Sequence, residues 1–120
     1  MDLNIRGQAV IRVCFDMAFT ILTSEDCELR VETDASFHTS GGELVSFDPE
    51  SPESAAAHLV SLVSDVITSA EVGSAGELFI VFGSGAELTV ASDPDYEAWG
   101  FVGAGQRVTC MPGGEVATWS

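Results

Sequence analysis

FTILTSEDCELRVETDASF, residues 19–37, is followed farther along the chain by LFIVFGSGAELTVASDPDY, residues 78–96. Slid by 59 residues (78 − 19), the two stretches overlie without a gap. Ile21 meets Ile80, Glu28-Leu29 meets Glu87-Leu88, Val31 meets Val90, Asp34 meets Asp93 and Phe37 meets Tyr96. The turn Ser24-Glu25-Asp26 falls on Gly83-Ser84-Gly85, and upstream Val13 meets Val72. In both copies apolar and polar residues alternate between turn residues, which is the pattern of hairpins. The expectation is a single domain, 1–120, holding two related β-meanders, with an internal repeat 13–37 / 72–96.

Working outward, AVIRVCF (9–15) reads as the strand that opens the first meander, and Asp16-Met17 as a tight turn. In CELRVET (27–33), Leu29 and Val31 share one face while Glu28, Arg30 and Glu32 share the other. ELVSF (43–47) suits a short strand. The stretch that follows changes period. Ser51 suits a helix N-cap, Pro52 the first helical position, and Glu53 complements the dipole. Leu59, Leu62, Val63 and Val66 recur at helical spacing, which predicts one helix over about 52–66. Its apolar stripe needs a sheet face to cover. ITSAEV (67–72), ELFIVFG (77–83), AELTVAS (86–92), EAWGFVG, QRVTCMP and GEVATWS return to strands. LFIVF is apolar at every position, which predicts a central strand buried on both faces. Ser84-Gly85, Ala104-Gly105 and Gly113-Gly114 suit the turns between strands. The fold class expected is α+β: a mainly antiparallel, twisted sheet or half-open barrel from two meanders, with one helix packed on a face.

Four basic and nineteen acidic side chains in 120 residues give a net charge of −15. Phosphate recognition needs Lys and Arg, and only Arg6, Arg12, Arg30 and Arg107 are present. Neither a nucleic acid nor an anionic membrane is expected as ligand. A basic protein partner would be steered by this field. Three cysteines, Cys14, Cys27 and Cys110, are odd in number, form no C-x-x-C and have no histidine at zinc spacing. They read as free thiols in a reducing compartment. No secretory leader and no membrane-spanning run is evident, so the expected location is the cytoplasm.

The chain ends YEAWGFVGAGQRVTCMPGGEVATWS, residues 96–120. Trp99 and Trp119 frame Pro112-Gly113-Gly114, and Trp119 could stand across from the hairpin that carries Trp99. Tyr96, Trp99 and Trp119 either close one end of the core or form an exposed anchor for a partner. With V-x-x-V-x-FD near the start (Val10, Val13, Phe15, Asp16), Glu28-Leu29-Arg30-Val31, and PGGxxAxW from Pro112 to Trp119, the chain resembles a bacterial domain-of-unknown-function family of small proteins over nearly its whole length. The resemblance implies no activity, cofactor or catalytic residue. Small acidic α+β proteins of this general kind often look like immunity proteins or other partner-binding proteins of toxin systems.

No nucleophile motif is present: GSG at 83–85 reads as a turn, and neither His38 nor His58 has a partner at triad spacing. Asp93, Asp95 and Glu97 alternate in DPDYE, but the segment is too short for a calcium loop and reads as a solvated turn. VGAGQR (102–107) lacks the spacing of a phosphate loop. No metal and no cofactor are expected. The functional expectation is a non-enzymatic acidic binding protein, immunity-like or adaptor-like, that meets a basic partner through Asp93, Asp95, Glu97 and Trp99. A self-associating module is the first alternative, with an edge-strand homodimer as its form. The second is a small-molecule binder or enzyme with a cavity between helix and sheet, for which a histidine beside a carboxylate would be the sign.

Overall fold

A computed structural model describes residues 1–120. In chain order the strands are β1 (Val10–Phe15), β2 (Phe19–Thr23), β3 (Glu28–Val31), β4 (Ala35–His38) and β5 (Leu44–Phe47), then a 3-10 turn (Pro52–Ser54) and helix α1 (Ala56–Val60). There follow β6 (Ile67–Val72), β7 (Leu78–Phe82), β8 (Glu87–Val90), β9 (Trp99–Gly103), β10 (Gln106–Cys110) and β11 (Val116–Trp119). Every strand pairing is antiparallel, as the alternation predicts. The strands divide between two sheets, where the sequence suggested one. They run β1-β2-β3-β9-β10-β11 and β5-β4-β8-β7-β6.

The division follows a simple rule. Each meander stays in one sheet, and then the chain crosses to the other. From β3 it crosses to the β4-β5 hairpin, which pairs with β8. From β8 it crosses back to β9, which pairs with β3. β2 and β7 begin 59 residues apart (78 − 19), as do β3 and β8 (87 − 28). Either side of them the spacing changes. Val10 stands opposite Thr23 with a bulge before Arg12, and Ile67 stands opposite Phe82 with a bulge before Ser69. By register the counterpart of Val13 is therefore Ala70, not Val72. The second crossover is eight residues (91–98) against three (32–34), so Phe37 corresponds to Phe101 and not to Tyr96. A gapless overlay cannot carry a loop insertion, and loops are where insertions are tolerated.

The two sheets face each other across one core. Phe19 of the six-stranded sheet meets Phe47 of the five-stranded sheet edge-on, with ring centroids 5.9 Å apart. Leu29, Val31, Trp99, Phe101 and Val108 come from one side, and Phe37, Leu78, Ile80, Phe82 and Leu88 from the other. Each such side chain contributes roughly 1.5–3 kcal/mol by leaving water. Residues 1–9 run antiparallel along the outer edge of β6, with Leu3 N–H bonded to the Ala70 carbonyl and Gly7 N–H to that of Ile67. Leu3 and Ile5 of this segment are fully buried.

The helix is shorter than its pattern predicts. Ser51 makes no side-chain cap, and Pro52–Ser54 winds as a 3-10 turn. α1 holds five residues. Leu59 and Leu62 are buried with Ala55, whereas Val63 and Val66 are exposed. Two buried leucines make a short stripe, and a short helix has little stability of its own. Ser64 takes a left-handed φ of +78° and donates its N–H to the Val10 carbonyl, which turns the chain into β6. α1 does not lie across a sheet face. His58, Ser61 and Leu62 share a depression with Phe37, Thr39, Ser84 and Ala86, so the helix closes one end of the sandwich. The outer faces of both sheets are open. That corrects the reading of LFIVF: Phe79 is 43 % exposed, and β7 is buried on one face only.

Candidate functional site

Both crossovers pass at the same end of the molecule. Residues 32–34 and 91–93 line one depression together, and residues 48–50, which follow β5, complete it. Its carboxylates are Glu32, Asp34, Asp48, Glu50 and Asp93. An adjoining depression shares Glu32, Glu50 and Tyr96 and adds Asp95 and Glu97. Seven carboxylates from three loops thus surround Tyr96, which is 68 % exposed. One cation lies among them: Arg30 reaches Glu32 at 3.4 Å and Asp16 at 3.7 Å. Exposed pairs of this kind are worth little. Thr33 lines both depressions, and its hydroxyl is shielded from solvent with no hydrogen-bond partner.

Asp93, Asp95 and Glu97 fall in this end, with different duties. The half-buried Asp93 accepts the backbone N–H of Asp95 at 2.8 Å and of Tyr96 at 3.1 Å. It shapes the loop, as aspartates at the head of a turn do. Asp95 and Glu97 are exposed and free of ion pairs. Trp99 is corrected from the contact set. It is 0 % exposed, and its indole N–H donates to the Gly76 carbonyl at 2.9 Å. A side chain at the first residue of an inward-alternating strand, opposite the buried Val31, has the core as its place. Trp119 does not face it. Trp119 stands opposite Arg107 on the outer face.

The terminal motif works as one structural unit. A Cβ on Gly76 would come 2.3 Å from the Gly114 carbonyl oxygen, and one on Gly114 would come 2.3 Å from that of Ala75. Both glycines hold positive φ, +83° and +95°. Gly113 donates its N–H to the Asp93 carbonyl at 2.8 Å. The Pro-Gly-Gly turn therefore clamps the 73–77 turn under Trp99 and holds the loop that presents Asp95, Tyr96 and Glu97.

Glu32, Asp34, Asp48 and Glu50 were not singled out from the sequence. The one signal for them was Asp34 falling on Asp93 in the overlay. A third depression, of about 250 Å³, holds His58 and Asp65 between α1 and the strands. Asp65 is committed there. Its Oδ1 accepts the N–H of Val66 at 2.9 Å and of Ser84 at 3.2 Å, and Oδ2 accepts the Ser84 hydroxyl. His38 stands across from Glu87 on the open face of the other sheet. The thiols are unpaired; Cys27 and Cys110 are buried and Cys14 is partly exposed. Burial pushes the Cys110 thiol above its ordinary pKa, Glu77 adds to this, and a backbone hydrogen bond from Ala98 offsets part of it. No helix is long and apolar enough to cross a membrane.

Fold and site together define an antiparallel two-sheet protein with one short helix and an acidic end built on its two crossovers. The chain belongs to a family of unknown function, DUF6188, whose model matches residues 1–120. The Phe15-Asp16 start and the Pro112–Trp119 ending pointed to such a family. No curated protein and no solved structure matches the chain.

Proposed function

We propose that this is a non-enzymatic binding protein of the cytoplasm that recognises a basic protein through its acidic end. The observation that carries the reading is the convergence of seven carboxylates around the exposed Tyr96, with Arg30 as the sole cation among them. Tyrosine supplies a large contact area at small entropic cost, and its ring face attracts Arg and Lys. An immunity or adaptor role is the form such recognition would take. Nucleic acid is disfavoured by the same charge.

The experiment is capture of partners from native cytoplasm with the wild-type chain and with D95N/E97Q/E50Q, each at low and high salt. A stoichiometric basic protein that is lost at high salt and lost with the triple variant supports the reading. A partner held equally by both chains and at both salts sinks it.

A second reading rests on the depression between α1 and the strands. It holds a histidine and a carboxylate, the sign set for a small-molecule site. Asp65 already accepts three hydrogen bonds from Val66 and Ser84, so it serves the turn first and His58 second. An H58A chain that loses a ligand retained by D95N/E97Q/E50Q would favour this second site.

A further inference from the structure

The outer face of the six-stranded sheet is uncovered, and its register sets one unbroken row across all six strands. Arg12 stands opposite Leu22, Leu22 opposite Glu28, Glu28 opposite Val102, Val102 opposite Arg107, and Arg107 opposite Trp119. Directly paired residues share a face, so the row reads Arg-Leu-Glu-Val-Arg-Trp on the solvent side. Val102 is 50 % and Trp119 52 % exposed. Three of the chain's four arginines lie on this face, counting Arg30 in the next row. Arg12, Arg107 and Glu28 form no ion pair within the chain, although nineteen acids are available.

The row is self-complementary about Val102. A two-fold axis that runs along β9, between two copies laid face to face, sets Val102 against Val102. One strand to either side, Glu28 of each copy meets Arg107 of the other. Two strands out, Leu22 meets Trp119. In the next row the same axis passes over Gly100 and sets Arg30 of each copy against Thr109 of the other, and Thr20 against Ala117. An axis across the strands would instead set Arg12 on Arg12 and Glu28 on Glu28, which repel. We propose that a second copy of this chain docks here, as an isologous dimer through the sheet face about a two-fold axis over Val102. Both acidic ends then lie at the same end of the dimer. The proposal does not depend on what those ends bind.

The test is the dimer dissociation constant by analytical ultracentrifugation, with circular dichroism to show that each variant is folded. Glu28 and Arg107 are exposed, so the fold should tolerate both reversals. E28R and R107E each place like charges at two symmetry-related contacts. Each is expected to weaken the dimer at least about tenfold, and E28R/R107E to restore it. A wild-type chain that stays monomeric at its highest soluble concentration overturns the proposal. So does a dimer that is indifferent to both single reversals, because its interface then lies elsewhere.

Discussion

Trp99, at the start of β9 in the six-stranded sheet, donates its indole N–H to the carbonyl of Gly76, in the turn before β7 of the five-stranded sheet, over 2.9 Å. The bond ties the two sheets at the end where the chain crosses between them. It also explains why the two tryptophans of the ending have opposite fates, one buried and one on the open face. W99F keeps most of the volume but leaves the Gly76 carbonyl without its donor, and should cost about 3 kcal/mol in urea denaturation. Fluorescence checks the assignment. W119F should leave a single blue-shifted emission from Trp99, and W99F a single red-shifted one from Trp119.

The glycines of the terminal turn separate space from backbone strain. Gly113 and Gly114 both hold positive φ, but a Cβ on Gly113 meets nothing within 4 Å. G113A should cost about 1 kcal/mol, the conformational penalty alone. G114A and G76A add a clash with backbone that cannot swing aside, and each should cost about 3 kcal/mol or more. Equal effects for G113A and G114A would refute the clamp.

The acidic loop predicts opposite responses from neighbouring aspartates. Asp93 organises the loop through two backbone N–H groups, so D93A should lower stability by about 1 kcal/mol. Asp95 is exposed and surrounded by like charge, so D95N should leave the melting temperature unchanged or raise it. Thermal unfolding of the two variants side by side decides this.

Cys110 should give the protein an alkaline weakness. Its folded-state pKa lies above its unfolded one, so the folded state holds the thiol proton more tightly. The stability linked to it is fully present below the unfolded thiol pKa and is lost as pH rises through the folded value. Urea midpoints measured upward from neutral pH should fall in the alkaline range, and C110A should flatten that fall. The buried thiol should also resist alkylation at neutral pH until the chain unfolds.

Much of the fold was legible. Alternation with period two is local, and it located ten of the eleven strands and most of the turns. Ala104 and Gly105 both take positive φ in a two-residue hairpin, as that pair of small residues suits. β4 is not legible in the sequence, because Ala35-Ser36-Phe37-His38 carries one large apolar residue and therefore shows little periodicity. The helical pattern runs past the helix itself, because Val63 and Val66 sit at helical spacing but are exposed. Of the candidate site, Asp93, Asp95 and Glu97 could be named from the sequence. Glu32, Asp34, Asp48 and Glu50 could not, because they come from segments far apart in the chain.

By itself the sequence determined what local chemistry determines: the antiparallel strands, the 59-residue echo of β2-β3 in β7-β8, the acidic charge and the motifs of the family. Only the tertiary structure decided that the strands form two sheets, that each meander hands its following hairpin to the other sheet, and that Trp99 points inward while Trp119 points out. The physical reason is range. A side chain's alternation is set by its neighbours two residues away, whereas β3 with β9 and β8 with β4 find each other across loops by burying their apolar faces in one shared core. The acidic end is a product of that crossing, and it exists only once both crossovers are in place.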